Sequence, residues 1–455
     1  MSIALLFGAQ GFAQDEAAKE TPPEGGTPKD FVLPATDSYT LDNGLQVTLV
    51  PFGTLPKVAV EAVIRVGNLN DGEQTWIADL TADMLEEGTT ERSSVEVAQA
   101  AASMGGEVDF SVGLDQTTVG GDVLGEFAPD LVELIAEVVR QPAFPEEELE
   151  RVRNDRLRAL AVAKTQPQSM AAAEFAKALY GDHPYGRYFP SEEQLAGYTI
   201  DDVRRFYADN FGAQRTQLFV VGQFDASTVK SAIETAFGDW EKGPAPLVML
   251  PEPAEGKQAV DIVNRADASQ SNVIVGLPVP PPGSDDWIKL QVTNTLLGGA
   301  FSSRITSNIR EDKGYTYSPN SSLSTRYKDA YWAESAAVTT EVTGPALDEI
   351  YKEIDRLQNE PPSAEELRAF QNYMAGVFTL QNSTRSGIIN MLNYTELHDL
   401  GDDYLTTYVS NVYAVTPEEV SETAEKYLRE EDMTVVIVGD RAQISEQVGK
   451  YVKAE

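Results

Sequence analysis

Two aspartates lie one helical turn apart in the stretch WIADLTADMLEEGT, residues 76–89. The apolar residues of this stretch recur with helical spacing. Because residues four apart share one face of a helix, the carboxylates of Asp79 and Asp83 should point the same way. Carboxylates suit Ca²⁺ or Mg²⁺ better than zinc, but one helix face rarely supplies the six or more oxygens that calcium prefers. The alternative is a solvated acidic face.

A second group with possible chemistry occurs in the stretch LLGGAFSSRITSNIREDKGYTY, residues 296–317. It contains Arg310 and, seven residues later, Tyr317. A guanidinium and a phenol offer directional donors to a peptide carbonyl or carboxylate without reading its side chains. The alternative is that Arg310 pairs with a nearby carboxylate and that Tyr317 packs in a sheet.

Histidine and cysteine are scarce. The chain has two histidines, His183 and His398, and no cysteine. A histidine-based zinc site is therefore limited to two such ligands, and thiolate sites and disulfides are excluded. His183 lies in a turn-rich loop, which favours a structural role, and the helical context of His398 favours surface exposure or packing.

The first stretch resembles the end of a known metal-binding motif. This is the inverted zinc-peptidase motif of the pitrilysin/insulinase family, His-x-x-Glu-His-Met followed closely by Gly-Thr. In that register Asp79 and Asp83 occupy the histidine positions and Ala82 that of the catalytic glutamate. Matching the helix after Pro145 puts Ala159 at the third ligand position. Zinc hydrolysis needs the imidazoles and a carboxylate base, so the resemblance implies that this chain has neither a zinc site nor a catalytic residue.

The second stretch is similar to the C-terminal half of the same family. Together with Leu41-Asp-Asn-Gly-Leu and the His-Pro-Tyr-Gly loop, the resemblance covers about residue 41 to the C-terminus. In the branch like the mitochondrial processing peptidase, one chain brings the zinc and the other an arginine and a tyrosine that hold the substrate's backbone. By residue match these are Arg310 and Tyr317. Trp76 stands where the family has glycine, which suggests relaxed constraint on the metal site.

The resemblance implies a non-catalytic, substrate-binding subunit of a heterodimeric zinc metallopeptidase, which degrades or processes peptides inside a closed chamber. We expect this chain to be inactive alone and to hold no cofactor, with zinc in a homologous partner subunit. Two alternatives stay open. One is a structural scaffold like the family's core subunits of the respiratory cytochrome bc complex, and the other is a peptide-binding homodimer.

Composition narrows the partners. The 455 residues are 42% hydrophobic, enough for two or more packed cores, and 72 acidic against 35 basic side chains give a net charge of −37. Such a surface repels phosphate backbones, which argues against nucleic acid. Residues 1–18, MSIALLFGAQGFAQDEAA, resemble the back half of a secretory signal peptide. No other stretch could span a membrane, so we expect an exported, most simply periplasmic, protein.

Repetition predicts the architecture that positions these groups. Thr199-Ile-Asp-Asp-Val matches Thr416-Pro-Glu-Glu-Val, and Val221-Gly and Pro145 recur at the same offset of 217 residues. An equal offset at three places indicates a tandem duplication. We predict an α+β fold of two homologous αβ domains, each a mainly antiparallel sheet with helices on one face. The predicted bounds are 1–34 for a signal remnant and flexible tail, 35–242 and 258–455 for the domains, and 243–257 for a linker.

Overall fold

A computed structural model describes residues 31–252, 259–401 and 403–451. The predicted signal remnant therefore lies outside the described residues, and so do residues 253–257 of the predicted linker. The described part of the linker, up to residue 252, contains no helix or strand. The predicted domain boundaries stay a prediction.

The first half is built on a six-stranded sheet with the order β1-β2-β6-β3-β5-β4. Neighbouring strands run antiparallel except β2 and β6, which are parallel. The apolar alternation in the sequence explains these strands, since one face of each is buried. Their bounds are β1 (Asp37–Thr40), β2 (Gln46–Pro51), β3 (Lys57–Ile64), β4 (Val108–Val112), β5 (Thr117–Leu124) and β6 (Thr216–Gly222).

The helices of the first half follow their local signals. Ser93 and Glu96 form a capping box at the start of the second helix, and Thr199 caps the seventh. The bounds are α1 (Ile77–Leu85), α2 (Ser94–Ser103), α3 (Ala128–Arg140), α4 (Glu146–Ala163), α5 (Pro167–Tyr180), α6 (Glu192–Gly197), α7 (Ile200–Asn210) and α8 (Ala226–Phe237).

The second half repeats this plan around a five-stranded sheet with the order β7-β11-β8-β10-β9. Within the described chain, β7 and β11 are the only parallel neighbours in this sheet. The strands are β7 (Ala259–Asn264), β8 (Gln270–Val279), β9 (Asn320–Arg326), β10 (Asp329–Thr339) and β11 (Thr434–Gly439). The helices are α9 (Trp287–Asn294), α10 (Arg304–Thr306), α11 (Thr343–Asn359), α12 (Ala364–Gln381), α13 (Arg385–Leu397), α14 (Tyr404–Ala414), α15 (Pro417–Tyr427) and α16 (Arg441–Val448). Segments of π-helix, Thr295–Gly299 and Ser307–Asp312, flank α10.

The two halves share one strand order. If β1 is set aside, β2-β6-β3-β5-β4 corresponds strand by strand to β7-β11-β8-β10-β9. The helices before the last strands, α7 and α15, start at Ile200 and Pro417, which are 217 residues apart. The predicted fold class, two tandem homologous αβ domains with mainly antiparallel sheets, is confirmed.

Each sheet also carries one helix from the other half, which the sequence did not predict. The helices of each half cover one face of their own sheet and form the main cores. On the opposite face of the first sheet, Phe219 and Val221 pack against Ile388 and Ile389 of α13. On the opposite face of the second sheet, Phe175 and its neighbours on α5 pack against β10 and β11. Because α5 and α13 occupy equivalent places in the repeat, this exchange is reciprocal and ties the halves together.

Phe31 and Leu33, which the sequence assigned to the tail, contact the second half. Both pack against its core, and the Phe31 ring lies edge-on to Phe378 of α12 at 5.3 Å between centroids. The described chain contains no helix with the length and apolar character needed to cross a membrane.

The exchanged helix α13 gives a first testable prediction. Ile389 is fully buried against the first sheet, so Ile389→Ala should lower the free energy of unfolding by about 2 to 5 kcal/mol. Leu380→Ala, at a site 71% exposed on α12, is the control and should change it by less than about 0.5 kcal/mol. Urea unfolding measures both. Equal effects would show that α13 does not hold the first sheet.

Candidate functional site: two paired aspartates and an arginine beside exposed rings

The helix that carries the motif, α1, starts at an unusual backbone conformation. Trp76, the residue before it, has φ of 69°, in the left-handed region that favours glycine. The backbone at Trp76 thus takes a conformation suited to the glycine that the family resemblance implies at this position. Asp71 holds the turn, because its Oδ2 accepts from the Trp76 amide at 2.8 Å and its Oδ1 from the Ala78 amide at 2.9 Å. Burial raises the pKa of Asp71 to about 7.

The apolar stripe of α1 orients the two aspartates. Ile77, Leu80 and Met84 are completely buried in the first core. Helical geometry then turns Asp79 and Asp83 away from that core and toward α4. Both carboxylates are partly buried, with side chains 17% and 28% exposed.

Arg156, on α4, binds both carboxylates. Its Nε and Nη2 donate to the two oxygens of Asp83, the second bond at 2.6 Å. Its Nη1 donates to Asp79 Oδ1 at 3.2 Å, and Asn68 Nδ2 donates to Asp79 Oδ2 at 2.6 Å. A guanidinium matches a carboxylate with two parallel bonds. The positions that correspond to the histidines of the family motif are thus joined by a cation that belongs to the chain.

The other two motif positions are apolar. Ala82 is buried in α1, and Ala159 lines a cavity of about 330 Å³ together with Asp83 and Arg156. The structure therefore brings Ala159 next to the motif helix, where the resemblance puts the third ligand. Alanine offers no donor atom and the carboxylates are engaged by Arg156, so these residues do not fit zinc.

The same contacts bear on the alternative of a hard cation. Burial raises the pKa of Asp79, and the attraction of Arg156 and the hydrogen bond from Asn68 oppose that rise. Among residues 31–252, 259–401 and 403–451, no group of three or more His, Cys, Asp or Glu side chains is arranged to hold a metal ion. The arrangement serves as a charged clasp between α1 and α4.

Zinc binding gives a second prediction. The purified chain should contain less than about 0.1 zinc per molecule by elemental analysis. The four motif positions hold two alanines and two aspartates paired with Arg156, so they supply none of the imidazoles that the zinc site needs. The matched gain-of-function variant carries Asp79→His, Ala82→Glu, Asp83→His and Ala159→Glu, with Arg156→Ala to remove the internal cation. This variant should bind about one zinc. One chelator-sensitive zinc per wild-type chain would contradict the prediction.

Arg310 and Tyr317 lie together on the surface of the second half. Arg310 is in the π-helical segment Ser307–Asp312, and Tyr317 follows in the bend that leads to β9. The guanidinium carbon lies 5.0 Å from the centre of the Tyr317 ring and 4.1 Å from that of Phe301. Cations are attracted to aromatic faces, so both rings help to fix the position of the guanidinium.

The alternative for Arg310 and Tyr317, an ion pair and packing in a sheet, is wrong for the tyrosine. Tyr317 is 81% exposed and Phe301 is 71% exposed, so Tyr317 does not pack in the sheet. Arg310 does have a carboxylate neighbour, since its Nε lies 3.3 Å from Glu311 Oε1. The Arg310 side chain is 21% exposed and that of Glu311 is 59% exposed, and this contact uses only the Nε of the guanidinium. Two large aromatic side chains beside a cation form a surface suited to binding.

The two histidines have structural surroundings. His183 Nδ1 accepts from the Tyr185 amide at 3.2 Å and so starts the short turn Pro184–Gly186. His398 is buried, its ring 4.6 Å from that of Tyr394, and burial lowers its pKa to about 4. Neither histidine contacts Asp79 or Arg310.

Sequence reasoning missed Arg156 and Phe301. Arg156 precedes Ala159 by three residues on one helix, so the two share a face, and this spacing was the available signal. Phe301 lies nine residues before Arg310, across a break between helical segments, and no periodic pattern connects them.

Two models of one protein family match this chain. The insulinase model, peptidase family M16, matches residues 53–189, and the "Peptidase M16 inactive domain" model matches residues 197–374. An uncharacterized zinc protease of Bacillus subtilis, YmxG, is 26% identical over 86% of this chain and 96% of its own length. Another from Streptomyces coelicolor is 23% identical over 86% of each chain.

Solved structures share the fold. A peptidase M16 inactive domain from Pseudomonas fluorescens superposes with a TM-score of 0.82 at 24% identity, over 89% of this chain and 98% of that one. A protease from Helicobacter pylori gives a TM-score of 0.84 at 20% identity, over 90% and 100%. The family models match both halves of the chain, and the solved structures share its fold. We conclude that the chain belongs to the insulinase family, peptidase family M16.

Proposed function

We propose that this chain is the non-catalytic, substrate-binding subunit of a heterodimeric zinc peptidase. A homologous partner would bring the zinc and its activated water, and this chain would hold the substrate's backbone with Arg310 and Tyr317. The two subunits would face each other around a chamber that admits short or unfolded peptides.

The observation that carries the proposal is the half-buried Arg310 beside the exposed rings of Phe301 and Tyr317. The rings limit the motion of the guanidinium and leave its nitrogens available to a peptide carbonyl or carboxylate, so less side-chain entropy is lost on binding. Two aromatic side chains exposed by more than two thirds are costly to keep in water unless they are covered in a complex. The clasp formed by Arg156 supports the division of labour, because it gives the degenerate motif a structural role.

We also propose that the chain is exported. The signal-like N-terminal residues support this, and one structural neighbour, PqqL of Escherichia coli, is a periplasmic protease with a TM-score of 0.77 over 96% of this chain and 49% of that one. Fractionation of the native host, with detection of the chain and of its N-terminus by mass spectrometry, tests it. Recovery of the chain in the cytoplasm with residues 1–18 intact would contradict export.

Reconstitution tests the heterodimer. The chain is purified alone, a family member with an intact His-x-x-Glu-His motif from the same genome is purified alone, and both are mixed at equal concentration. A quenched fluorescent peptide should be cleaved by the mixture much faster than by either chain, and a chelator should abolish the gain. A stable complex without new activity would favour the scaffold alternative. No complex, with self-association of this chain, would favour the peptide-binding homodimer.

A further inference from the structure

A cavity of about 280 Å³ lies between the exchanged helix α5 and the outer face of the second sheet. Ala172 and Phe175 of α5 form one wall, and Ile274 and Ala333 of the sheet form the floor. Small side chains on α5 leave this space between the halves. Tyr188, 42% exposed, lies at its edge. Most of the lining is apolar, which is typical of small-molecule sites.

One buried cation lines this cavity. Arg326, the last residue of β9, is 8% exposed. Its guanidinium carbon lies 4.7 Å from the ring centre of Tyr331, 5.4 Å from that of Tyr180 and 5.7 Å from that of Tyr185. Its Nη1 donates to Ser324 Oγ at 2.8 Å, while its buried Nε has no hydrogen-bond partner within the described chain.

The neighbouring carboxylates are engaged with other groups. Asp115 accepts from the Tyr185 hydroxyl at 2.5 Å and from the Tyr327 amide at 3.1 Å. Asp329 accepts from the Tyr180 hydroxyl at 2.6 Å. They act on Arg326 through space, but its Nε is left without an acceptor. A buried charged group with an unsatisfied donor costs free energy. The aromatic faces attract the positive charge, but they do not accept a hydrogen bond as a carboxylate does.

We propose that this cavity binds a small ligand made of a carboxylate and an apolar body. The carboxylate would accept hydrogen bonds from Arg326, and the apolar body would lie against the apolar part of the lining, which includes Phe175, Tyr188 and Ile274. The volume of about 280 Å³ is enough for one aromatic ring together with a short chain that carries the carboxylate. Such a ligand could be a free carboxylic acid or the C-terminal residue of a short peptide. The proposal does not depend on the heterodimer or on Arg310.

Isothermal titration of the full-length chain with 3-phenylpropanoate and its neutral amide tests the charge requirement. The acid should bind saturably, and the amide about tenfold or more weakly, because it cannot form the charge-assisted bonds. N-acetylphenylalanine separates the sources: comparable binding indicates a peptide C-terminus, and loss of binding indicates a free acid. Equal affinity for acid and amide, or no saturable binding of either acid, would overturn the proposal.

Two variants locate the site. Arg326→Gln should abolish binding of the acid, and Lys352→Gln, which removes a positive charge from an exposed side chain elsewhere, should leave it unchanged. Because Arg326 is buried between the halves, its variant could fail to fold. Ala172→Phe fills the cavity from α5 without changing Arg326, and it should also abolish binding while circular dichroism stays that of the wild type. Acid binding that persists in a folded Ala172→Phe variant places the ligand elsewhere and contradicts the proposal.

Discussion

Arg310→Ala is expected to lower kcat/KM of the reconstituted peptidase about tenfold to a hundredfold. The loss of a hydrogen bond to a charged group costs about 1.5 to 3 kcal/mol when the partner is left unsatisfied, and this range corresponds to that change in turnover efficiency. Tyr317→Phe removes only a hydroxyl and should lower kcat/KM about threefold to tenfold. Neither residue is part of a core, so the complex should still assemble.

The neighbouring Phe301 gives the same experiment an internal comparison. Phe301→Ala removes one of the two rings that hold the guanidinium, and a cation–π contact at an exposed site is worth about 0.5 to 1 kcal/mol. The expected loss is therefore roughly twofold to fivefold, smaller than that of Arg310→Ala. It should be absent when Arg310 is already alanine, because the ring would then have no guanidinium to hold.

Arg205→Ala is the matched control for Arg310→Ala. Arg205 is an exposed arginine whose carboxylate neighbour Asp202 lies 3.6 Å away on the same helix, and a solvated pair of this kind contributes about 0 to 1 kcal/mol. Initial rates with a quenched peptide, together with size-exclusion chromatography of the complex, give both readouts. If Arg310→Ala and Tyr317→Phe leave activity within a factor of two, the proposed substrate contact is wrong and the scaffold alternative gains.

Arg156→Ala is expected to lower the free energy of unfolding by about 2 to 4 kcal/mol. Breaking a buried ion pair from one side typically costs about 3 to 5 kcal/mol, because the remaining charge is uncompensated. The three side chains here are 17% to 28% exposed, and water then offsets part of that cost. Arg156→Lys should retain only part of the stability, since an ammonium cannot form the paired bonds with Asp83.

A rescue separates the charge effect from lost packing. Adding Asp79→Asn and Asp83→Asn to Arg156→Ala removes the uncompensated carboxylates, so the triple variant should be more stable than Arg156→Ala alone. Arg158→Ala is the control on the same helix, with a side chain 70% exposed, and should change stability by less than about 0.5 kcal/mol. Urea unfolding gives the free energies, and hydrogen exchange of the α1 amides shows where the loss occurs. If Arg156→Ala alone is as stable as the wild type, the clasp does not hold α1.

The sequence by itself determined which segments have one buried face and that the chain contains two copies of one unit. The helical spacing of apolar residues within residues 76–89 predicted α1, because this signal depends on neighbouring residues alone. The 217-residue offset predicted the shared strand order. Residue identity also led to the prediction that Asp79, Ala82, Asp83 and Ala159 do not form the family's zinc site.

Only the tertiary structure decided what those faces and charges contact. Arg156 is more than seventy residues from both aspartates along the chain, and its pairing depends on how α4 crosses α1. The exchange of α5 and α13 between the halves, and the cage of tyrosines around Arg326, have the same origin. A periodic pattern reports that a face is buried but carries no information about which distant segment covers it. Partner choice over such separations is set by the path of the whole chain, which no local signal contains.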